Sequence, residues 1–510
     1  MLRVEAALVE TSRAREGLCI AVGNADSVAA PGLSEEQAAV VREVVLSGDG
    51  VQVIRAAAGT GKTTTLAAAR AAWSDASVHV YGCALAARAA VELESLGGID
   101  STTVAHLERD LDQGYGLPRG SVLVVDEAGM VGTRSIARLA AHCADTESKL
   151  LLVGDDHQLP EIDAGGAFRR LASELGASEL RQVWRQREDW DREALGDLRR
   201  GRVGEWAERY RDHGRLVAEP TAVKTRDRLV EDWWHAARLE DVDAVMIAHR
   251  RVDVAELNSR ARNLMRANGR LGEDELVAGG RAFSVGDRVL AKHNDRRLDL
   301  VNGTRGEVTG VDMEHRSVEM RLKDGSTRRA DAAFLDREGL MHGYAFTGHA
   351  AQGATVDRAF VLGSDDLYRE WGYRTMTRHR EEARYYVVSP GSVERALPGL
   401  EPDPDPLTED VVASMSRSGR KSTAHDVLDQ GFKRLPDRRE TAPTFEPTRP
   451  SREAKAAERA LERAAALEKQ LAEVKPWQRK LAKELRHALE EQHKELGHGG
   501  RVFVEPTDSS

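Results

Sequence analysis

The sequence predicts an α/β protein built on parallel sheets, and three observations support this fold class. From Leu33 to about Leu180, short β-branched runs alternate with longer alanine-rich helical stretches, as strands and crossover helices do in a parallel sheet. The same alternation begins again near Ala244 and resumes at His342. The glycine-rich sequence AAAGTGKT lies between the first strand and the helix that follows it, where it is typical of a phosphate-binding loop.

Length and composition limit the remaining classes. The chain has 510 residues, more than one hydrophobic core usually organises, so two or three domains are expected. A mean hydropathy of -0.48 and the lack of a long uncharged apolar run argue against an integral membrane protein. The N-terminus mixes acids and bases and has no apolar signal-peptide core, so we expect a cytoplasmic protein. Cys19, Cys83 and Cys143 are too widely spaced to predict a disulfide framework or a zinc site.

The charge balance restricts how the chain would bind nucleic acid. A net charge of -10 argues against a protein that coats nucleic acid through a general positive field, although a locally basic cleft stays compatible with it. Aromatic residues make up 5% of the chain, which argues against a stacking platform. Any nucleic-acid contact is therefore expected to be mainly to phosphates.

Changes in periodicity predict the domain boundaries. Period-two alternation with NG and DG turns predicts a small antiparallel, barrel-like insertion between the two α/β segments. Proline and charge without periodicity then predict a flexible linker, and helical spacing predicts two charged amphipathic helices at the end. Acids and bases alternate along these helices, which favours a solvated hairpin or partner-docking tail over direct DNA binding. The predicted order is a helical lead at 1–32, a first α/β domain at 33–180, a second at 181–282 and 334–390, the insertion at 283–333, the linker at 391–450 and the tail at 451–510.

The glycine-rich loop predicts a site for ATP and Mg²⁺. Gly59 and Gly61 allow backbone N–H groups to turn toward phosphate oxygens at the start of a helix. Lys62 is expected to reach the β- and γ-phosphates, and Thr63 to ligate Mg²⁺. Ala56 replaces the usual first glycine, and the alternative is a nucleotide fold that has lost activity. The predicted cofactor-binding residues of the loop are Gly59, Thr60, Gly61, Lys62, Thr63 and Thr64.

Two later strand ends carry polar residues suited to phosphate chemistry. The apolar run Val122–Val125 ends in Asp126, predicted to face the metal, and Glu127, predicted to polarise the attacking water. In the loop GDDHQLP, Gln158 is expected to sense the γ-phosphate. The alternatives are an acidic strand-end turn and an ordinary polar loop, and both weaken because the phosphate loop precedes them in the right order.

The motifs together resemble a superfamily 1 helicase of the RecD-like branch, and more narrowly the helicase half of MobF-type conjugative relaxases. The resemblance covers roughly residues 33–389 and rests on LSEEQ, AAAGTGKT, the Asp126-Glu127 pair, GDDHQLP, VWRQ, YAFTGHAAQGAT and the stretch from Tyr373 to Arg378. It implies two RecA-like P-loop domains with an SH3-like β-barrel insertion in the second. It also implies ATP-dependent movement on single-stranded DNA, 5′ to 3′, in a bacterial cytoplasm.

The same resemblance implies roles for further residues. Gln37 would bond the adenine edge, and Arg185 and Arg378 of the second domain would act as arginine fingers, with a surface ion pair as the alternative for each arginine. The implied DNA-binding residues are Arg88, Thr347, His349, Gln352 and Thr355. A buried polar turn is the alternative for the threonine and histidine positions.

Several departures from the family leave two functions open. Ala350 stands where the family has a lysine, the lead of the last motif is unusually polar, and the interval from Glu108 to Gly120 is short for a strand-splitting pin. The chain also lacks a three-histidine cluster and catalytic tyrosines ahead of its helicase motifs, so nicking is not expected. Sequence leaves open a helicase module, a fragment or a stand-alone relative. Besides a helicase or translocase, it fits a non-unwinding ATP-dependent scaffold that recruits a relaxase or another DNA-processing protein through its tail.

Overall fold

The computed structural model describes residues 1–24, 32–155, 166–351, 354–364, 366–389, 411–412 and 415–418. All of them belong to one compact unit, Met1–Arg434. Gln158, Gln352, most of the predicted linker and the whole predicted tail at 451–510 lie outside the described residues. Across the part of the chain that is described, no helix has the length and apolar character needed to cross a membrane.

The first α/β domain is a six-stranded parallel sheet with helices on both faces. Its elements are α1 (Leu2–Arg13), α2 (Glu35–Leu46), β1 (Val51–Ala56), α3 (Lys62–Asp75), β2 (Val80–Ala84), α4 (Ala87–Gly97), β3 (Asp100–Thr103), α5 (Val104–Asp112), β4 (Val122–Asp126), α6 (Thr133–Asp145), β5 (Lys149–Gly154), α7 (Ala167–Glu174) and β6 (Ser178–Leu180). The strand order is β3-β2-β4-β5-β1-β6, and every pairing is parallel. The predicted α/β class is confirmed for this half of the chain.

Burial on both faces explains why the central strands are continuous apolar runs. Leu123 and Val125 of β4 pack with α6 and α7 on one face, whereas Val122 and Val124 pack with α2 and α3 on the other. The chain enters α2 through a capping box at Ser34, whose hydroxyl accepts from the backbone N–H three residues later. Because β1 and β4 both neighbour β5, the loops that follow them emerge at one edge of the sheet.

The second α/β domain contains a five-stranded parallel sheet. Before the insertion its elements are α8 (Asp189–Arg200), α9 (Val203–Asp212), β7 (Leu216–Glu219), α10 (Ala222–Trp234), β8 (Ala244–Ala248) and α11 (Arg251–Ala267). The insertion contains β9 (Leu276–Ala278), β10 (Arg281–Phe283), β11 (Arg288–Ala291), β12 (Arg305–Asp312), β13 (Ser317–Leu322), β14 (Thr327–Ala330), α12 (Ala332–Asp336) and β15 (Leu340–His342). The domain then continues with β16 (Ala345–Thr347), β17 (Val356–Leu362), α13 (Arg369–Met376) and β18 (His379–Val388). The parallel order is β16-β8-β17-β18-β7.

The β insertion is larger than predicted. Its antiparallel strands pair in the order β14-β13-β12-β11-β15, and a hairpin of β9 and β10 precedes them. The inserted β structure therefore runs from Leu276 to His342, rather than over 283–333, because β15 pairs with β11 and belongs to the antiparallel sheet. Three-residue strands are too short to show the alternation from which the boundary was inferred. Closure of the sheet into an SH3-like barrel stays a prediction.

Two connecting segments also bear on the sequence prediction. The described stretch from Gln113 to Ser121 contains no strand, and Tyr115 there is 70% exposed, so the interval holds a plain loop rather than a β-hairpin pin. Within the predicted flexible linker, Val411 and Met415 are buried in the core of the second domain. The Arg369 N–H donates to the Arg417 carbonyl at 2.9 Å, so this part of the linker docks on α13.

Candidate functional site

The glycine-rich loop joins β1 to α3 and takes the conformation that its glycines predict. Gly59 has φ +82° and Gly61 has φ +78°, which place both in the left-handed region. Gly61 is the N-cap of α3, so Lys62 is the first residue of the helix and the loop lies at its positive end. Ala56 is fully buried in the first-domain core, so its methyl group packs away from the loop and the missing first glycine is accommodated.

Gln37 lies directly against this loop. Its Nε2 donates to the Thr60 carbonyl at 3.1 Å, and its Oε1 accepts from the Ser34 N–H at 3.0 Å. A Cβ on Gly61 would overlap the Gln37 amide, so glycine is required there for space as well as for φ. The structure therefore places Gln37 beside the nucleotide loop, with its amide engaged by the protein, and adenine recognition stays a prediction.

The paired carboxylates lie where β4 ends. Glu127 has φ +54°, a strained conformation for a residue other than glycine, and its N–H donates to Asp126 Oδ1 at 2.7 Å. Burial raises the pKa of Glu127 and the neighbouring Asp126 raises it further, whereas the charges of Arg374 and Lys62 oppose that rise. Strain and burial held at one strand end are typical of a functional position.

Oxygen donors suited to Mg²⁺ lie at the same sheet edge. Thr63 is the second residue of α3 and Asp126 is the last residue of β4, and both side chains are half-buried. A hydroxyl and a carboxylate are hard ligands of the kind that Mg²⁺ takes together with phosphate oxygens. Thr64, the next residue of the helix, is exposed. The donor set therefore fits the predicted metal at Thr63 and Asp126.

Both predicted arginine fingers reach the cleft between the two domains. The Trp184 N–H donates to the Gly59 carbonyl at 2.8 Å, which seats the loop carrying Arg185 directly on the nucleotide loop. Arg185 Nη1 in turn donates to the Thr377 carbonyl at 2.9 Å. Arg378 is 6% exposed, and its Nε donates to the Arg374 carbonyl at 2.8 Å.

A third arginine in this cluster was not among the predicted site residues. Arg374 is fully buried on α13, one helical turn before Arg378. Burial lowers the pKa of Arg185, Arg374 and Arg378, and the repulsion between neighbouring guanidinium groups lowers the pKa of Arg378 further. Tyr373 closes the cleft, because its hydroxyl accepts from the Ala58 N–H at 3.4 Å. The unusually polar lead of the last motif was the sequence signal for Arg374.

Of the predicted DNA-binding residues, Thr347 and His349 flank Gly348, which packs against α13, and Arg88 lies beside the insertion. Thr347 ends β16, and its hydroxyl accepts from the Ala350 N–H at 3.3 Å. His349 is exposed, and desolvation and the charge of Arg374 lower its pKa. Thr355 is half-buried just before β17. Arg88 contacts the insertion, since its Nη1 donates to the Gly303 carbonyl at 2.7 Å.

A cavity of about 770 Å³ with both polar and apolar lining lies between α11, the insertion and β16. Its lining includes Arg251, Asn258, Asn263, Lys292, His293, Asn302 and Thr347. Several basic side chains of the insertion are engaged by neighbours rather than directed into open space. Arg288 donates to the Ala244 carbonyl at 3.1 Å, and Arg305 pairs with Asp243 at 3.0 Å. The cavity, rather than the insertion's basic residues as a group, therefore provides the polar groove.

Comparison with known proteins identifies the relatives of the chain. Residues 32–221 match the family model described as an AAA domain. The conjugal transfer protein TraA of Rhizobium radiobacter is 39% identical over 365 residues, which are 69% of this chain and 32% of the relative. The ATP-dependent RecD2 DNA helicase of Deinococcus radiodurans is 30% identical over 373 residues, which are 69% of this chain and 48% of the relative. The chain is a homologue of the TraA conjugal transfer proteins and the RecD helicases.

These matches confirm the resemblance inferred from the motifs. This TraA and RecD homologue spans about a third of the length of the TraA proteins that it matches. Among solved structures, the Pif1 helicase from Bacteroides in complex with ADP-AlF3 and ssDNA is 16% identical, with a TM-score of 0.46 over 71% of this chain and 97% of that chain.

The cleft of this homologue brings most of the predicted ATP-site residues together. Lys62, Glu127, Arg185 and Arg378 meet there through electrostatic interactions and shared contacts. Arg88 and the turn after Thr347 lie near each other, since a Cβ on Gly303 would lie 3.5 Å from the Arg88 side chain and 4.0 Å from the Ala350 carbonyl oxygen.

Proposed function

We propose that the chain is an ATP hydrolase that couples ATP turnover to movement on single-stranded DNA. One observation carries the proposal: the buried Arg378 and the half-buried Arg185 of the second domain converge on the phosphate loop and Glu127 of the first. Burial and the charges of Arg185 and Arg374 lower the pKa of Arg378, so the arrangement favours a polyphosphate in the cleft. Such a ligand would be held from both domains at once.

The site residues divide the chemistry between them. Lys62 and the loop N–H groups would hold the β- and γ-phosphates, and Thr63 with Asp126 would hold Mg²⁺, which neutralises phosphate charge when bound. Glu127 would accept hydrogen bonding from the attacking water and orient it. Arg185 and Arg378 would stabilise charge on the equatorial oxygens of the transferred group. Release of phosphate removes the anion and lets the second domain separate from the first.

We further propose that the strand lies along the groove lined by Thr347 and the cavity residues. Asn263, Asn302 and His293 there offer donors to phosphate and sugar oxygens, which suits contact without base selection. Asn258 and Lys292 of the same lining are engaged by Ala345 and Glu338. His349, Thr355 and Arg88 belong to the same proposed surface. Gln352 lies outside the described residues, and its contact with the strand is proposed from the resemblance alone. The 5′ to 3′ direction, the lack of nicking and the recruitment of a relaxase by the tail are proposed from the resemblance to the family.

An ATPase assay with and without single-stranded DNA tests the proposal. We expect the wild-type chain to hydrolyse ATP faster when a poly-dT oligonucleotide is present, and Lys62→Ala to lose turnover in both conditions because phosphate binding is lost. Lys62 is half-buried at a helix start, so the melting temperature of the variant should stay close to that of the wild type. Lys224→Ala, on the exposed side of α10, is the matched control.

The second candidate function is a scaffold that binds ATP and a strand without moving along it. It is favoured by the hydrogen bond from Arg88 to the Gly303 carbonyl, because this bond holds a proposed strand-contacting residue against the insertion. A scaffold would bind the oligonucleotide and hydrolyse ATP at the same rate with or without it. That result would overturn the motor proposal, and hydrolysis by Lys62→Ala at the wild-type rate would overturn the site.

A further inference from the structure

Arg374 is a buried cation whose hydrogen-bonding capacity is largely unused. The residue is 0% exposed in the middle of α13. Nη1 lies 3.5 Å from the Met130 sulfur, a weak acceptor, and among the described residues neither Nε nor Nη2 has a hydrogen-bond partner. Burying a guanidinium with open donors costs free energy, so packing alone does not account for it.

On one side, Arg374 faces the catalytic carboxylate. Met130 ends the 3₁₀ turn Ala128–Met130, which begins directly after Glu127. Burial lowers the pKa of Arg374 to about 10, and the charge of Glu127 is the largest influence in the opposite direction. The guanidinium therefore lies in the field of Glu127 and touches the turn that fixes the position of Glu127.

The helix of Arg374 also packs against the turn that carries the proposed strand contacts. A Cβ on Gly348 would overlap Trp371 Nε1 and lie 3.0 Å from Thr375 Cγ2, so no space separates the turn from α13. Trp371 and Arg374 are three residues apart on the helix and share a face. His349, in the same turn, lies within the field of Arg374.

We propose that Arg374 is a positioning residue that transmits the state of the strand-binding turn at Thr347–Ala351 to Glu127. This rests on the proposed function, since it assigns a regulator to the same site. A DNA strand that shifts the turn must also shift α13, because Gly348 is closely packed against Trp371 of that helix. The movement changes the position of the Arg374 guanidinium against Met130 and Glu127, and so changes how Glu127 is held. Arg374 thereby makes hydrolysis depend on the strand.

The test compares Arg374→Met with Arg369→Met, a matched arginine on the first turn of the same helix that pairs with Glu370 at 3.3 Å. The kcat and KM for ATP are measured with and without saturating poly-dT oligonucleotide, together with oligonucleotide affinity and melting temperature. We expect the stimulation of kcat by DNA to be at least about 5-fold smaller in Arg374→Met than in the wild type, which is the lower end of ordinary coupling between two sites. The KM for ATP and the oligonucleotide Kd should stay near wild-type values, and Arg369→Met should keep the stimulation.

Two further variants separate positioning from a merely structural role. Arg374→Lys retains the charge and should restore most of the stimulation, whereas a packing role would not respond to charge. Gly348→Ala forces the turn away from Trp371 and should reduce stimulation at saturating oligonucleotide even if Arg374→Met does not fold.

Three outcomes would overturn the inference. An unchanged ratio of stimulated to basal rate in Arg374→Met and Gly348→Ala would show that Arg374 does not transmit the state of the turn to Glu127. A large rise in the KM for ATP with the ratio kept would make Arg374 a nucleotide contact instead. A wild-type chain that DNA does not stimulate would overturn the proposed function as well, and is recognised before any variant is made.

Discussion

At the scale of single residues, the cleft combines strain, burial and like charges in a small volume. Glu127 combines a left-handed backbone with a carboxylate whose pKa is raised by burial. Burial and the repulsion between guanidinium groups lower the pKa of Arg378 nearby. Each of these conditions costs stability and none is needed to form the two sheets. The costs are expected to be offset when a phosphate chain enters, because its charge satisfies the arginines.

Glu127→Gln should separate nucleotide binding from hydrolysis. The substitution keeps the volume and polarity of the side chain but removes the base, so hydrolysis should fall by about 10²–10⁴-fold. ATP and single-stranded DNA should still bind, because neither is proposed to be held by the Glu127 carboxylate. Single-turnover hydrolysis and nucleotide affinity measure the two effects. Loss of ATP affinity in the variant would mean that Glu127 has a structural role.

At the scale of elements, Lys149 joins β5 to the end of α2. The side chain is fully buried, and its Nζ donates to the carbonyls of Val44 at 3.0 Å and Ser47 at 2.5 Å, and to Gln52 Oε1 at 3.2 Å. These bonds satisfy carbonyls at the C-terminal end of α2, where helices leave acceptors without partners. Burial nevertheless lowers the pKa of Lys149 to about 8.

Stability should therefore depend on pH through Lys149. Its folded pKa of about 8 lies below the ordinary lysine value of about 10.4, so between these pH values the unfolded chain holds a proton that the folded chain has released. The contribution of this group to stability accordingly rises with pH. From pH 7.5 to 9.5, the free energy of unfolding of the wild type should gain about 2 kcal/mol relative to Lys149→Met. Urea unfolding of both proteins measures it, with Lys224→Met as an exposed control; equal pH profiles for all three would contradict the prediction.

The elements that sequence could predict are those fixed by local pattern. β1, β4 and β5 are apolar runs buried on both faces, and the nucleotide loop follows from glycines at positions that adopt positive φ. What sequence missed depends on contacts between distant residues. The docking of Met415 on α13 joins parts of the chain separated by a proline-rich stretch, and the bond from Arg88 to Gly303 spans 215 positions. Neither leaves a periodic signal.

The residues of the candidate site also differ in whether a local motif or a distant contact determines their position. Lys62, Asp126 and Glu127 follow from motif context, whereas the burial of Arg374 depends on how α13 packs between the two domains. A polar residue in a short helix is usually exposed, so its sequence position alone indicates nothing about a cleft. The three-residue strands of the insertion were missed for the related reason that their pairing partners, rather than their own residues, define them.

At the scale of the whole molecule, a net charge of -10 coexists with a groove that offers cations and amides to a strand. Most basic residues of the described chain lie in ion pairs, as Arg262 does with Asp287 at 3.1 Å, so they add little to the long-range field. Strand affinity should therefore depend on a few groove positions, and it should weaken with salt according to their number.

Arg251→Gln should reveal one such position. Arg251 is exposed at the start of α11 and lines the groove. Loss of one phosphate contact should lower the magnitude of the slope of log affinity against log salt by about 0.7, the value for a single strand. ATP hydrolysis without DNA should be unchanged. Fluorescence anisotropy with poly-dT at several salt concentrations measures the slope, and Arg316→Gln, which breaks an ion pair with Asp336 on the insertion, is the control. An unchanged slope would place the strand elsewhere.

The docked segment that ends at Ser418 has a mechanical consequence. Met415 sits on Gly372 so closely that a methyl group there would overlap its sulfur, and the Ser418 hydroxyl donates to Glu370 at 2.7 Å. Any tension applied to the chain beyond Ser418 is thus borne first by α13, before it reaches the parallel sheet. The helix that carries Arg374, and that ends just before Arg378, is also the anchor point of the segment ending at Ser418, so a load on that segment pulls directly on the arginines of the cleft.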